Sequence, residues 1–495
     1  MTASPCVRTL IFGLATTALA EPHGPDVVWL DRLGMGADGP SFESLERMGP
    51  RKYLDAQLAD PRPLPLAIQA RIDALSTTGL RPLELMRHRD SLAHLVDSAK
   101  GMDAKAAAQK TLDQWKSQVF AESVKRNLWR AMYSPDGLRE RMVWFWGNHF
   151  SVFSGKDEGS ILVGDYEERA LRPNALGRFR DLVLATLRHP AMLAYLDNAQ
   201  NAAGHANENY ARELLELHTL GVDGGYTHQV VMALAKVLTG VGINWQRTPD
   251  KGKLPMGLVR DEGFEFNPRR HDSTGVVLLG KPVAGTGFDE IRQAVDILCR
   301  HPSTARHVAT RIATCLLGKT PPPALVQAMS KTFAKTDGDI GAVVRTFFES
   351  AESHSPGALK DPRRFVVGAL RQAYEGKVLT NLNPAANWIR QLDEPLFGRP
   401  TPDGYPLTES GWSSEGQMVK RFEIARAIGS GPAGLFEVDS GAPAPGRGFP
   451  LYQRPAFWKW REPLLGDSTK SVLNQASSAQ EWNLLWISSP EAMRD

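Results

Sequence analysis

The sequence predicts a mainly α-helical protein, a large multihelical domain with one small β-hairpin near residues 263–283. Apolar residues recur at three- and four-residue spacing in the dominant patterns of the chain, which is the period of an amphipathic helix. Alternation with a period of two, which indicates a strand, stands out only in the segment 263–283. A helical fold with one small β element accounts for both patterns.

Proline marks the ends of several predicted helices, because it lacks the backbone N–H that a helix interior requires. The first long pattern stops at Pro135, and the next one ends before Pro190. Asp339 follows the Asp337-Gly338 turn and is the predicted N-cap of a later helix. The predicted helical stretches are 104–135, 174–190, 288–302, 306–319, 339–350 and 363–375.

The β-hairpin is predicted from two short patterns joined by a long loop. Phe264 and Phe266 are separated by a polar residue, and the apolar run 276–279 ends before Gly280. A different kind of segment, residues 429–450, is rich in glycine and proline and has few large apolar residues. We expect it to be a mobile insertion.

Length and composition are those of a soluble globular protein. The chain has 495 residues, of which 42% are hydrophobic and 23% charged, enough for one large core or two smaller ones. We predict a single multihelical domain over residues 21–495, with two lobes joined near residue 285 as the alternative. The net charge of +3 does not favour binding to nucleic acid or to an anionic membrane.

The N-terminus has the pattern of a secretory signal peptide over residues 1–20. Arg8 precedes an apolar run, and Ala18-Leu19-Ala20 is a small-x-small cleavage pattern. We therefore predict cleavage after Ala20 and a periplasmic or secreted protein, with a disordered cytoplasmic leader as the alternative. No later run approaches the length of about 18 apolar residues that a membrane span requires.

Two cysteines follow the predicted signal peptide, Cys299 and Cys315. In an oxidising compartment they could pair, whereas two separately buried thiols are the simpler interpretation. Neither lies in a C-x-x-C motif, so the sequence does not suggest redox or zinc-knuckle chemistry.

Several common catalytic motifs are missing from the sequence. GMGADG at 34–39 matches G-x-G-x-x-G, but Pro40 follows at once and no alternation of strands and helices continues from it. We interpret it as a glycine turn before a helix. The sequence contains no H-E-x-x-H, P-loop or G-x-S-x-G motif, which disfavours zincins, nucleotide hydrolases and α/β-hydrolases.

The stretch RMVWFWGNHF, residues 141–150, places Asn148 and His149 among large aromatic side chains. Partial desolvation lowers the pKa of an imidazole and favours its neutral form, which binds metals. His149 is therefore a candidate ligand or proton carrier. The alternative is a core histidine that is hydrogen-bonded to a backbone carbonyl.

A second polar stretch, NENYARELLELHTLGVDGGYT, covers residues 207–227. Helical geometry places Asn209, Arg212, Glu213 and Glu216 on one stripe and His218 on the opposite, apolar side. Two glutamates one turn apart can hold a divalent metal or share a proton for acid–base work. The alternative is a solvated helix face with ordinary ion pairs.

The pair His271-Asp272, in the loop of the predicted hairpin, is a third candidate. A neighbouring carboxylate can orient an imidazole for metal binding or proton transfer. The alternative is an exposed pair without a function.

These motifs, in their order along the chain, resemble the bacterial domain of unknown function 1800 family. The resemblance also rests on HPAMLAYLDNAQN, RHPSTARHVATRI, EPLFGRPTPDGYP and SPEAMRD, and it covers nearly all of the predicted mature chain. It implies a large, mainly helical, usually exported bacterial protein. Genes of this family often lie beside genes for an exported sulfatase-like family, which implies a sulfatase-like partner. The resemblance supplies no catalytic residues.

Two functional hypotheses follow. The first is an exported cell-envelope enzyme with a carboxylate and histidine cleft, which a divalent metal could occupy. The second is a non-catalytic helical partner of an exported sulfatase-like protein. For the enzyme, the candidate catalytic residues are His149, Glu213, Glu216 and His271. The same four residues are the candidate metal ligands. The candidate substrate-binding residues are Asn148, Asn209, Arg212 and Asp272.

Overall fold

The computed structural model describes residues 24–247, 252–436 and 449–495. The predicted signal peptide and residues 437–448 of the predicted insertion lie outside the described residues. Within the described ranges, no helix combines the length and the apolar composition that are needed to cross a bilayer.

The described residues form twenty-three α-helices, which confirms the mainly α fold class. Proline stands at the first turn of many of them, including those that begin at Pro190, Pro302 and Pro362, because its fixed φ suits that position and no N–H is needed there. The helices are α1 Gly24–Leu33, α2 Gly39–Met48, α3 Pro50–Leu58, α4 Leu66–Asp73, α5 Pro82–Ser98, α6 Met102–Tyr133, α7 Gly137–His149, α8 Gly159–Asp165, α9 Phe179–Leu187, α10 Pro190–Tyr195, α11 Asn209–Glu213, α12 His228–Val237, α13 Phe288–Cys299, α14 Pro302–Leu317, α15 Pro323–Lys335, α16 Ile340–Phe348, α17 Pro362–Ala373, α18 Asn383–Gln391, α19 Glu415–Gly429, α20 Pro455–Arg461, α21 Asp467–Asn474, α22 Ala479–Ile487 and α23 Pro490–Met493.

The β structure is small, as predicted, but it is paired differently. Antiparallel strands β1, β3 and β2 form one sheet in that order, and β4 pairs with β5 in a second sheet. We expected the segment now seen as β3 to pair with the segment now seen as β4, and that pairing is wrong. The strands are β1 Val241–Ile243, β2 Val259–Asp261, β3 Phe264–Phe266, β4 Val276–Leu278 and β5 Lys281–Val283.

Two tight turns explain the pairing. Glu262 and Gly263 have φ of 47° and 93°, and Leu279 and Gly280 have φ of 50° and 76°. Two consecutive residues with positive φ make the short turn that matches the twist of a hairpin. The two turns therefore pair β2 with β3 and β4 with β5. Strand β1 pairs with the other edge of β3, and the long loop between β3 and β4 joins two separate sheets.

The glycine turn predicted at GMGADG is confirmed, and α2 follows it. Gly36 has a φ of 117°, and a Cβ atom there would lie 2.8 Å from the Cα of Gly368 in α17. Two glycines thus allow the turn and α17 to approach backbone to backbone.

The buried apolar side chains form one contiguous cluster that extends from Val27 to Met493. Whether the chain divides into two lobes near residue 285 stays a prediction. Cys299 and Cys315 lie in this core as two unpaired, buried thiols. Asp339 caps α16 as predicted, and its side chain accepts a hydrogen bond from the Ala342 N–H.

Two α-helices continue into π-helical segments, and both prolongations carry polar residues into the core region. Helix α8 runs into the π segment Tyr166–Leu171, and α11 runs into the π segment Leu214–His218. Such segments are rare in proteins and are frequent at functional sites. The loop 395–405 between α18 and α19 lines a cavity together with residues of the first segment, and its Asp403 acts on Glu213, the last residue of α11.

Candidate functional site

A small cavity of about 60 Å³ lies between α7, the π segment Tyr166–Leu171 and the loop 395–405. This volume accommodates a few water molecules or one small functional group. Its walls are largely apolar and aromatic, with three buried ionisable side chains among them. The residues that define its chemistry are Trp144, Asn148, Tyr166, Glu167, Arg363, Glu394, Phe397, Arg399 and Tyr405.

Glu394 is buried in the cavity wall, and both of its carboxyl oxygens accept a hydrogen bond. Oε1 accepts from the Trp144 indole N–H at 2.9 Å, and Oε2 accepts from the Arg363 backbone N–H at 2.9 Å. Among the described residues, no arginine or lysine side chain forms an ion pair with it. Burial, followed by the charge of Asp361, raises the pKa of Glu394 to about 8. The carboxyl group is therefore mainly neutral at neutral pH and has a proton to donate.

Glu167 is the second buried carboxyl group of the cavity, and its surroundings differ from those of Glu394. Arg172 donates to its Oε1 at 3.1 Å, and the Asn127 amide donates to its Oε2 at 2.5 Å. Burial raises the pKa of Glu167, and the Arg172 charge opposes this rise. One carboxyl group of the cavity thus has a cationic partner and the other has none, an arrangement that separates acid from base in many active sites.

Arg363 is 3% exposed and also lines the cavity. Within the described ranges, its guanidinium forms no hydrogen bond and no ion pair, and its buried Nε has no partner. Burial lowers the pKa of Arg363, and the charges of Glu167 and Glu394 oppose this shift. A buried cation without a contacting partner is costly, so its presence in a cavity wall points to a ligand.

The loop 395–405 is held against α7 by Asn148. The Asn148 amide donates to the Tyr405 carbonyl at 3.0 Å, and its Oδ1 accepts from the Tyr405 backbone N–H at 2.5 Å. Gly404 has a φ of 76°, and a Cβ atom there would lie 2.2 Å from the Asn148 carbonyl oxygen. Phe397, in the same loop, has a φ of 56°, which is strained for a bulky residue. The Asn148 amide is thus paired with the Tyr405 backbone, and its predicted substrate-binding role stays a prediction.

The predicted stripe of polar residues lies near the other side of this loop. Arg212 pairs with Glu208 at 2.9 Å and lies 3.7 Å from Glu216. Glu213 is half-buried, and burial, followed by the charges of Glu216 and Asp403, raises its pKa. Since Asp403 belongs to the loop 395–405, the same loop lies beside both the stripe and the cavity. The stripe is neither a fully solvated face nor part of the cavity itself.

The candidate histidine His149 lies in the core, 2% exposed, and its Nε2 is 3.1 Å from the His218 carbonyl oxygen. Its ring centroid is 6.0 Å from that of His218 and 5.9 Å from that of His307. His218 is on the apolar side of its helix, as predicted, and neither of its ring nitrogens has a partner among the described residues. Burial lowers the pKa of His149 and of His218, which keeps both imidazoles neutral.

The remaining candidates, His271, Asp272 and Asn209, all contact neighbouring groups of the protein. His271 Nδ1 lies 2.8 Å from the Thr239 carbonyl oxygen, and its Nε2 lies 3.3 Å from Glu290. Asp272 accepts hydrogen bonds from Thr274. Asn209 donates to the Leu196 carbonyl and to Asp197.

The four candidate metal ligands do not come together. In the part of the chain that the structure describes, no group of three or more His, Cys, Asp or Glu side chains is arranged to hold a metal ion. The reason is local: His149 is hydrogen-bonded within the aromatic core, whereas Glu213 at the end of α11 and Glu216 in the π segment are partly exposed. His271 is bonded to Thr239 beside the small sheet. The described structure thus does not assemble the predicted four-ligand cleft, and the individual roles of the four residues stay predictions.

Comparison with known proteins gives one match. The model of the family described as "Protein of unknown function (DUF1800)" matches residues 28–494. The chain belongs to the DUF1800 family. No curated protein matches the chain, and no solved structure matches it.

Two of the motifs that carry the DUF1800 resemblance meet at the cavity. RMVWFWGNHF supplies Trp144, and EPLFGRPTPDGYP begins with Glu394 and continues through the loop 395–405. Sequence reasoning quoted the second motif but gave no role to its glutamate, although a carboxyl group directly before a proline-rich loop was visible. Glu167 and Arg363 had no comparable signal, because each lies within a segment that reads as an ordinary helix.

Proposed function

We propose that this DUF1800 protein is an acid–base enzyme, with Glu394 as the proton donor to a substrate group that enters the cavity. The observation that supports it is a buried carboxyl group with a raised pKa and no cationic partner, in the wall of a cavity. Strongly perturbed carboxyl groups in cavities are frequent at catalytic sites, where a proton must be available near neutral pH.

The surroundings of Glu394 suit this role. The Trp144 indole and the Arg363 backbone N–H fix both oxygens and thereby the plane of the carboxyl group. Each oxygen has a second lone pair, and an acidic proton bound there can point into the cavity. Glu167, whose charge Arg172 balances, is the complementary proton acceptor. The aromatic walls limit the access of bulk water to the proton transfer.

The proposed activity can be tested by hydrolysis of 4-nitrophenyl sulfate, phosphate, acetate and glycosides between pH 5 and pH 9. We expect the mature protein to release 4-nitrophenol from at least one of these compounds. Glu394→Gln cannot release a proton and should lower kcat by about 100-fold or more. The matched control is Glu423→Gln, an exposed glutamate of α19 that pairs with Lys420. Equal rates for Glu394→Gln and the parent protein would contradict the proposal.

We also propose that the protein is exported to the cell envelope, on the basis of the pattern over residues 1–20. N-terminal sequencing of protein recovered from the periplasm should begin at Glu21, and retention of Met1 would contradict export. The family resemblance adds an exported sulfatase-like protein as the proposed partner. Co-purification of the two tagged proteins from one cell extract tests this, and separate elution of both speaks against it.

A further inference from the structure

Arg363 differs from the other deeply buried arginines of the described chain. Arg141, Arg364 and Arg461 each form an ion pair with a buried aspartate. Arg32 and Arg421 donate to backbone carbonyls. In the same described ranges, the Arg363 guanidinium has neither kind of partner. Arg363 also lines the cavity.

The neighbouring residue provides an internal comparison. Arg364 is the next residue in α17, and its guanidinium contacts Asp361 at 2.7 Å and Asp495 at 2.5 Å. Both side chains are equally buried, at 3% exposure. Two adjacent arginines in one helix therefore have opposite surroundings. Arg364 has the contacts of a structural residue, whereas Arg363 has those expected of a binding residue that awaits an anion.

The charges around the cavity leave room for one negative group. Arg172 is shared by Glu140, Glu167 and Glu168. Glu168 also pairs with Arg126 and Arg130, so three guanidinium groups balance these three carboxylates. Arg399 is balanced by Asp403 at 3.1 Å. Glu394 is mainly neutral at neutral pH and repels no anion. The Arg363 charge is then the one without a contacting counterpart among the described residues that line the cavity. A guanidinium presents a planar fork that matches the oxygens of carboxylate, sulfate and phosphate groups.

We infer that Arg363 binds an oxyanion carried by the substrate, a carboxylate, sulfate or phosphate group small enough for a cavity of about 60 Å³. This inference rests on the proposed function, because it places the anionic group beside the proton donor Glu394. The substrate class is accordingly an anionic compound or ester.

Anion binding can be measured without any turnover, by titrating the mature protein with sodium sulfate, phosphate or acetate. Thermal unfolding is followed at pH 7, and sodium chloride keeps the ionic strength constant. We expect saturable stabilisation by at least one anion, since a ligand that binds only the folded state stabilises it. Arg363→Gln should lose at least tenfold in affinity. Arg390→Gln, the control at an exposed arginine of α18, should change affinity by less than twofold.

Three results would overturn the inference: no saturable response of the parent protein, an unchanged affinity in Arg363→Gln, or an equal loss in Arg390→Gln. If Arg363→Gln does not fold, Arg363→Lys keeps the charge and should bind the anion more weakly than the parent protein, and unchanged affinity there would equally overturn the inference. Glu394→Gln separates this inference from the proposed function. It should abolish hydrolysis and still bind the anion, so each idea can fail alone.

Discussion

At the scale of single residues, the cavity contains two ionisable side chains of opposite kind that do not form an ion pair. Glu394 accepts its hydrogen bonds from an indole and from a backbone N–H, and the Arg363 guanidinium donates none within the described chain. A direct pair between them would have satisfied both groups and left no proton to donate. Their separation is what makes this cavity a candidate site, and it has consequences for stability.

The raised pKa of Glu394 predicts how stability depends on pH. Its pKa is about 8 in the folded protein against an ordinary 4.5, so between these values the folded state binds the proton more tightly. This contribution is complete below about pH 4.5 and is lost as the pH rises through 8. In urea unfolding, the parent protein should therefore lose on the order of 2 kcal/mol between pH 6 and pH 9 that Glu394→Gln does not lose. If the free energy of unfolding changed with pH in the same way for both proteins, Glu394 would not be a buried neutral acid.

His218 predicts the opposite pH dependence. Burial lowers its pKa to about 3 from an ordinary 6.5, so the unfolded state binds the proton more tightly in that interval. The contribution of neutral His218 to the free energy of unfolding is complete above pH 6.5 and is lost as the pH falls towards 3. His218→Leu removes this loss and also removes two buried nitrogens without partners. The free energy of unfolding at pH 5 should therefore rise by about 1 kcal/mol. The control is the exposed His228→Leu, and an equal change in both variants would count against the argument.

At the scale of elements, short-range signals were read correctly and long-range pairing was not. The helix that starts at Pro302 and the Asp339 cap follow from residues adjacent in sequence. The strand β3 was predicted, but its partners were not, because the alternation pattern encodes neither the tight turn that pairs it with β2 nor the more distant pairing with β1. The cavity joins Trp144 of α7 to Glu394, 250 residues later. No local pattern predicts such a contact, so the acid was missed.

The loop 395–405 should tolerate no side chain at Gly404. A Cβ atom there would lie 2.2 Å from the Asn148 carbonyl oxygen, so Gly404→Ala must displace the loop from α7. We expect a loss of about 2 kcal/mol or more and loss of anion binding, measured by thermal unfolding and by titration. Gly376→Ala is a matched control, because its φ of 74° is nearly the same as the 76° of Gly404 and it has nothing within 4 Å. Equal losses in both variants would show that only backbone strain is involved.

At the scale of the whole molecule, buried ion pairs connect segments that are far apart in sequence. Asp31 of α1 contacts Arg461 of α20 at 2.7 Å and Lys360, next to α17, at 3.5 Å. Apolar periodicity was enough to predict a helical globular fold, because it is a local property of the sequence. It could not give this network, whose members are identified only when distant helices are packed together.

Asp495 offers the sharpest test of that network. Its carboxylate is fully buried, contacts Arg364 at 2.5 Å and lies 3.9 Å from Arg32. Asp495→Asn removes the counter-charge that Arg32 and Arg364 share. Arg364 keeps its ion pair with Asp361, and Arg32 keeps its hydrogen bonds to backbone carbonyls. We therefore expect a cost of about 3 kcal/mol, at the lower end of the range for a broken buried pair. Urea unfolding at pH 7 should show this loss, while the exposed Asp467→Asn should stay within about 0.5 kcal/mol of the parent protein. Since Arg364 borders Arg363 in α17, anion binding should weaken together with stability in Asp495→Asn. A destabilised variant that binds the anion at full affinity would show that the network and the cavity are independent.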